Sequence, residues 1–239
     1  MEGQIAVVTG ASSGIGRAIA LALARRGVGL YLVGRDRKRL VSTMREALGR
    51  VSQVWAHDVD LTDDDALRRL VRTLREEAGG ADILVHSLGG FTSGRIESAP
   101  VEELDALYRT NVRSTYLLTQ QLLPDLRSRG AGQVVFVNSS IVAGARAGVG
   151  QYAASKLALK GLADSLRDEV NGQGIRVLSV YPGKTATPMQ ASIYAAEERP
   201  YEPENLLQPE DVAEIVLAAL LLPWTAEVTD IHVRPMRKG

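Results

Sequence analysis

Gln4-Ile-Ala-Val-Val-Thr9-Gly-Ala-Ser-Ser-Gly-Ile-Gly16 is the stretch on which the fold turns. Its first six residues are a short apolar run rich in β-branched side chains, as expected of a strand buried on both faces. A helical pattern begins at Arg17 and runs to Arg26, where Gly27 stops it. A strand that turns tightly into a helix aims the helix's unpaired N–H groups, and the positive end of its dipole, at whatever lies over the turn. That suits a pyrophosphate. In this reading Gly10 permits the turn, Gly14 lets backbone approach the phosphates, and Gly16 lets the helix lie close to the strand. Ser12, Ser13 and Ile15 complete the expected cofactor-contacting turn. The spacing is GxxxGxG rather than GxGxxG, and the GK[ST] ending of a P-loop is missing.

Outward from this unit the alternation repeats. Leu30–Val33, Val51–Ala56, Ile83–Val85, Val134–Val137, Ile175–Val180 and Val228–Val233 read as strands. Helices are expected over Arg37–Leu48, from a Thr62 cap to Ala78, over 101–129 in two pieces with a kink at Pro124, over Tyr152–Val170 and over Glu210–Leu222. Residues 188–208, with three prolines, read as an irregular stretch. Continuously apolar strands alternating with helices predict an α/β fold, a parallel sheet covered on both faces, in one doubly wound domain over 1–239.

Composition agrees. The chain has 239 residues, 45% hydrophobic and 23% charged, which is globular and argues against disorder. It has no cysteine, which excludes disulfides, thiolate metal sites and cysteine nucleophiles. Lys+Arg and Asp+Glu both number 28, so a strongly basic nucleic-acid binder is not expected. With no leader pattern and no apolar run of about 18 residues, no membrane association is expected and the cytoplasm is the default location. The three histidines form no usual zinc pattern, so no metal is expected.

Tyr152-Ala-Ala-Ser-Lys156 opens a predicted helix, and positions i and i+4 share a face. A free phenol titrates near pH 10; a neighbouring ammonium favours the phenolate and brings it into useful range. Ser139 ends the strand before this helix, at the edge where ligands bind in open α/β sheets, and can donate to a substrate oxygen. Ser140 is its adjacent rival.

With these residues in view, the chain resembles the short-chain dehydrogenase/reductase family. Thr9–Gly16 matches the family's TGxxxGIG turn, Tyr152–Lys156 its YxxxK motif, Asn138-Ser139-Ser140 its strand-end serine, Asn111 its helix asparagine and Pro182–Thr187 its PGxxxT segment. The resemblance implies a seven-stranded Rossmann-type sheet in order 3-2-1-4-5-6-7. It implies Tyr152 as general acid and base, Lys156 lowering its pKa and binding the nicotinamide ribose, Ser139 polarising the carbonyl, and Asn111 holding a relay water. It further implies cofactor contacts at Gly89, Pro182, Gly183, Thr185 and Thr187, and at Asp60 and Leu61, with Asp58 the rival to Asp60. Most relatives are tetramers or dimers.

Departures matter as much. The family's NNAG is here His86-Ser-Leu-Gly89, and His86 is expected to be a hydrogen-bonded structural histidine, with proton relay as the alternative. The place of the acid that binds the ribose in NAD-preferring relatives is Gly34, followed by Arg35, whose guanidinium suits a 2′-phosphate. NADP(H) is therefore favoured and NAD(H) is the alternative, with Asp36 as a shifted acid. Residues 188–208 are expected to be a mobile substrate lid, with Met189, Ile193 and Tyr194 on its inner face. Arg95 and Arg146 are read as solvated surface arginines that could draw in a carboxylate.

The expected activity is hydride transfer between NADP(H) and a small-molecule carbonyl or secondary alcohol. The alternatives are an enoyl-type C=C reductase and a catalytically silent dinucleotide-binding scaffold. A homotetramer, or else a homodimer, is expected. Its helical contact would use Tyr116, Leu117, Gln120 and Gln121 with Leu159, Ala163 and Leu166; a second would use the last helix and strand.

Overall fold

The computed structural model describes residues 1–237; Lys238 and Gly239, the last two residues of the expected domain, lie outside the described residues. Among the described residues the strands are β1 (Ile5–Thr9), β2 (Gly29–Gly34), β3 (Val54–Asp58), β4 (Ile83–His86), β5 (Gly132–Val137), β6 (Ile175–Pro182) and β7 (Asp230–Val233). The helices are α1 (Gly14–Ala24), α2 (Arg37–Leu48), α3 (Asp64–Ala78), α4 (Val101–Tyr108), α5 (Ser114–Ser128), α6 (Gly150–Val170), α7 (Pro188–Ala196) and α8 (Pro209–Leu220). All strand pairs are parallel, in the order β3-β2-β1-β4-β5-β6-β7.

The side-chain alternation of a strand builds two cores on this one sheet. Ala6 and Val8 of β1 pack with α1, α2 and α8, while Val7 between them packs with α3, α5 and α6. Because both faces are covered, every residue of β1, β2, β4, β5 and β6 is buried. The chain winds one way from β1 to β3 and the other way from β4 onward. The crevice at the carboxyl ends of β1 and β4 is thus a topological switch point, where ligands of such sheets bind.

Several expected boundaries are corrected. β3 starts at Val54, not Val51. Asp63 rather than Thr62 caps α3, accepting from the Asp65 and Ala66 amides, because the Thr62 hydroxyl bonds back to Asp60. The helical stretch 101–129 does come in two pieces, joined by a π-helical turn at Arg109–Arg113, and Pro124 lies inside the second. The 188–208 stretch is not irregular throughout: Thr187 caps α7, with Pro188 at a first-turn position where its missing N–H costs nothing. Leu159, Ala163 and Leu166 are 2%, 0% and 8% exposed and belong to the core under the sheet, so they present no contact surface. The exposed large apolar side chains of α4, α5 and α6 are Val101, Leu104, Tyr108, Tyr116 and Leu157.

Arg176 of β6 fixes the far end of α8. Buried and stacked on Trp224 at 4.0 Å, it donates to the Leu220, Leu222 and Ala226 carbonyls, which lack helical partners there. No helix among the described residues is long and apolar enough to cross a membrane.

Candidate active site

A cleft of about 930 Å³ opens at the switch point. One end is formed by the β1–α1 turn. Gly10 has φ +68°, and a Cβ there would lie 2.6 Å from the Ser87 carbonyl oxygen; at Gly14, φ +55°, it would lie 3.0 Å from the Thr187 side chain. Gly16 lets α1 lie against the turn, since a Cβ there would sit 2.5 Å from the Gly10 carbonyl oxygen. Thr9 locks the turn to the next loop. Its hydroxyl donates to the Val85 carbonyl and accepts from the Ser87 and Leu88 amides. Ser12, Ser13 and Ile15 of the turn line the cleft, and so does Gly89, where a Cβ would lie 3.7 Å from Lys156 Nζ.

Ser139, Tyr152 and Lys156 line the other part of the cleft. β5 ends just before Ser139, whose Oγ accepts from the Ile141 amide at 3.3 Å and starts a short 3₁₀ turn. Ser140, the rival, is the more exposed of the two. Tyr152 and Lys156 lie one turn apart at the start of α6, with the ammonium 5.9 Å from the phenol ring centre. Lys156 is 4% exposed, and its Nζ donates to the Val137 carbonyl at 3.3 Å. Burial pulls its pKa down to about 8. Burial pushes the Tyr152 phenol up, and its hydrogen bond with Ser139 works in the opposite direction. Asn138 holds α6 in register by donating to the Lys156 carbonyl.

Asn111 sits in the π-helical turn, fully buried. Its Oδ1 accepts from the Gly90 amide at 2.7 Å, and its Nδ2 donates to the Gly90 carbonyl and to Ser155 Oγ at 2.9 Å. The side-chain amide is thus occupied in joining the 89–90 loop to α6.

Gly34 and Arg35 border the cleft near the glycine turn. Asp36 is committed elsewhere: it caps α2 through the Arg39 amide at 3.0 Å and pairs with the Arg39 guanidinium at 3.2 Å. Asp60 and Leu61 line a smaller pocket that shares Gly10, Gly34, Arg35 and Leu88 with the cleft. Thr62 donates twice to Asp60 and lowers its pKa, whereas Asp58, the rival, is paired with Arg37. Pro182, Gly183, Thr185 and Thr187 also line the cleft, Thr187 against Gly14 of the glycine turn.

His86 stays out of the cleft. It is buried, stacked 5.0 Å from Phe136 and 2.8 Å from the Thr119 hydroxyl; burial brings its pKa down to about 3, which keeps it neutral. Met189 and Ile193 of α7 do line the cleft. Tyr194 does not: it is buried against Tyr201 and under the Arg199 guanidinium. Arg95 and Arg146 are exposed but border the cleft rather than a featureless surface. Sequence reasoning missed Phe91, which lines the cleft with its ring edge-on to Tyr152 at 5.0 Å. Only its place two residues beyond Gly89 could have pointed to it.

The chain matches the family model for short chain dehydrogenase over residues 4–198. It is 32% identical to an uncharacterised oxidoreductase of Staphylococcus saprophyticus, over 99% of both chains. An alcohol dehydrogenase from Thermococcus sibiricus, solved with 5-hydroxy-NADP, superposes with a TM-score of 0.85 at 28% identity, covering 99% of this chain and 98% of its own. L-sorbose reductase from Gluconobacter frateurii, solved with NADPH and L-sorbose, gives a TM-score of 0.87 at 26% identity, over 98% and 95% of the two chains.

Proposed function

The chain belongs to the short-chain dehydrogenase family, and from that premise we propose that it is an NADP(H)-dependent oxidoreductase interconverting a carbonyl compound and a secondary alcohol. The cleft fits a dinucleotide. Cβ atoms at Gly10 and Gly14 would crowd the turn, and its volume lies near the top of the range for ligand sites. The β1–α1 turn would hold the pyrophosphate, Arg35 the 2′-phosphate, and Asp60 with Leu61 the adenine. Lys156 would hold the ribose hydroxyls, and Pro182, Gly183, Thr185 and Thr187 the nicotinamide side. The commitment of Asp36 to its helix cap, and the bound NADP and NADPH of the solved relatives, support NADP(H) over NAD(H). When bound, this cofactor supplies or accepts the hydride.

Tyr152 supplies or accepts the proton. Burial keeps the phenol protonated and ready to donate to a carbonyl oxygen. Ser139 donates to that oxygen as well, which favours charge building on it. The phenolate left behind lies beside Lys156, whose ammonium is charged below pH 8 and whose burial strengthens the attraction. Asn111 keeps Gly90 and Ser155 in place and would hold the relay water.

The observation that carries this reading is a buried ammonium one helical turn from a phenol, in a cleft whose other end is the glycine turn. Purified protein should oxidise NADPH in the presence of some members of a panel of aldehydes and ketones. Reduction of enones at C=C alone would favour the enoyl-type reading, and NADPH binding without turnover would favour a scaffold.

A homotetramer acting in the cytoplasm, where dinucleotides are supplied, completes the proposal, with a dimer as the alternative assembly. Tyr108, Tyr116 and Leu157 would lie in one interface. Ile215, Leu221 and the open edge of β7 would lie in the other.

A further inference from the structure

The chain is neutral as a whole, with 28 residues of each sign, but the substrate end of its cleft is not. The cations Arg95, Arg146, Lys184 and Arg199 line it against a single acid, Glu197. Two of them are already paired, Arg199 with Glu197 at 3.0 Å and Arg95 with Glu97 at 2.6 Å. Lys184 stands over the Tyr194 ring. Arg146 has no carboxylate partner among the described residues.

Arg146 is set in a built wall. It lies between Ser139 and Tyr152 in the chain, flanked by Gly144, Ala145, Ala147 and Gly148, whose side chains are too small to screen it. The Gly94 amide donates to the Gly148 carbonyl at 2.8 Å, and Gly94 pairs with Val149. That pairing puts the loop of Arg95 and the loop of Arg146 into one rim beside the phenol. A guanidinium presents a planar fork of donors that matches a carboxylate or phosphate, and a crevice focuses its field more than open surface does.

We propose that the substrate is an anionic carbonyl compound, an oxo acid or a phosphorylated ketone or aldehyde, whose oxyanion group is held by Arg146 with Arg95 beside it. This rests on the oxidoreductase reading above and narrows it; a neutral sugar-like ketone is the wrong substrate for this cleft. The anion takes no part in the hydride or proton transfer. Arg146 sets which molecule enters and how its carbonyl is placed against Tyr152 and Ser139.

Matched pairs test it: oxo acids of increasing chain length against their methyl esters, and dihydroxyacetone phosphate against dihydroxyacetone. With wild-type protein, the anionic member of at least one pair should have a kcat/KM about 10- to 100-fold higher, the range for one charge-assisted hydrogen bond. Which pair does so distinguishes carboxylate from phosphate. That advantage should shrink with added salt, and in Arg146→Gln it should fall below about threefold. Ligand-observed NMR of the corresponding hydroxy acid and its amide, on protein saturated with NADP, gives a second reading that needs no turnover. Preferential binding of the acid, lost in Arg146→Gln, upholds the anion site even if no carbonyl is reduced, in which case the oxidoreductase reading alone fails. Equal kcat/KM within every pair, or an anion preference that survives in an Arg95→Gln/Arg146→Gln double variant, would overturn the proposal.

Discussion

Replacing Lys156 by Met should stabilise the protein while abolishing its activity. The ammonium is 4% exposed, no carboxylate among the described residues pairs with it, and its one hydrogen bond goes to the Val137 carbonyl at 3.3 Å. Burial brings its pKa from the ordinary 10.5 to about 8. At about 1.4 kcal/mol per pKa unit, holding the proton in the native state at pH 7 costs about 3 kcal/mol. Methionine fills a similar volume without charge, and loss of the bond to Val137 returns about 1 kcal/mol of the gain. The net is about 2 kcal/mol, or roughly 4–8 °C in Tm for a chain of this size. The sign reverses the usual salt-bridge case. Between pH 8 and 10.5 the unfolded chain still holds the proton that the native protein has released, so wild-type stability rises with pH across that window. The advantage of Lys156→Met should therefore be full below pH 8 and fade by about pH 10.5. Denaturant unfolding of cofactor-free protein at pH 7 and pH 10 measures it. A less stable variant at pH 7, or a gain that does not fade with pH, would refute the argument that this cation is held at the fold's expense.

Three further outcomes follow from the same structure. Gly34→Asp with Arg35→Ile should move cofactor preference toward NAD(H) by about 10-fold or more, read as the ratio of kcat/KM for NADPH and NADH; a Cβ at Gly34 meets Ser12 and Leu40 at no less than 3.4 Å, so the acid can be accommodated. His86, neutral in the fold with a pKa near 3 against an ordinary 6.5, lets the unfolded chain bind the extra proton as pH falls below 6.5. It should thus cost about 3 kcal/mol of stability by pH 4, and His86→Gln should shift the acid-unfolding midpoint downward without adding or removing a limb of the activity–pH profile. Light scattering at micromolar concentration should give a tetramer mass; a monomer would refute both proposed interfaces, and a dimer would leave one.

Most of the sheet was legible because β1, β2, β4, β5 and β6 are buried on both faces and so read as apolar runs; the glycine turn was legible because its tight backbone is a local requirement. Residues whose roles are set by packing were not legible. Nothing in Thr-Asn-Val-Arg announces a π-helical turn, nor that Asn111 spends its amide on Gly90 and Ser155. Leu159, Ala163 and Leu166 read equally well as contact surface, since α6 carries apolar residues on more than one side and periodicity does not say which side meets the sheet. The prolines of 188–208 masked a helix start that Thr187 and Pro188 do encode, as cap and first-turn residue. Asp36 could not be separated from a ribose-binding acid until its cap was seen.

Turnover by Tyr152→Phe tests the central claim most directly. The ring keeps its place against Phe91 and loses only the hydroxyl. With a carbonyl that the wild type reduces, kcat should fall at least 100-fold while the NADPH dissociation constant, followed by cofactor fluorescence, stays within a few-fold. A variant that kept more than about a tenth of wild-type kcat would contradict the assignment of Tyr152 as the proton donor.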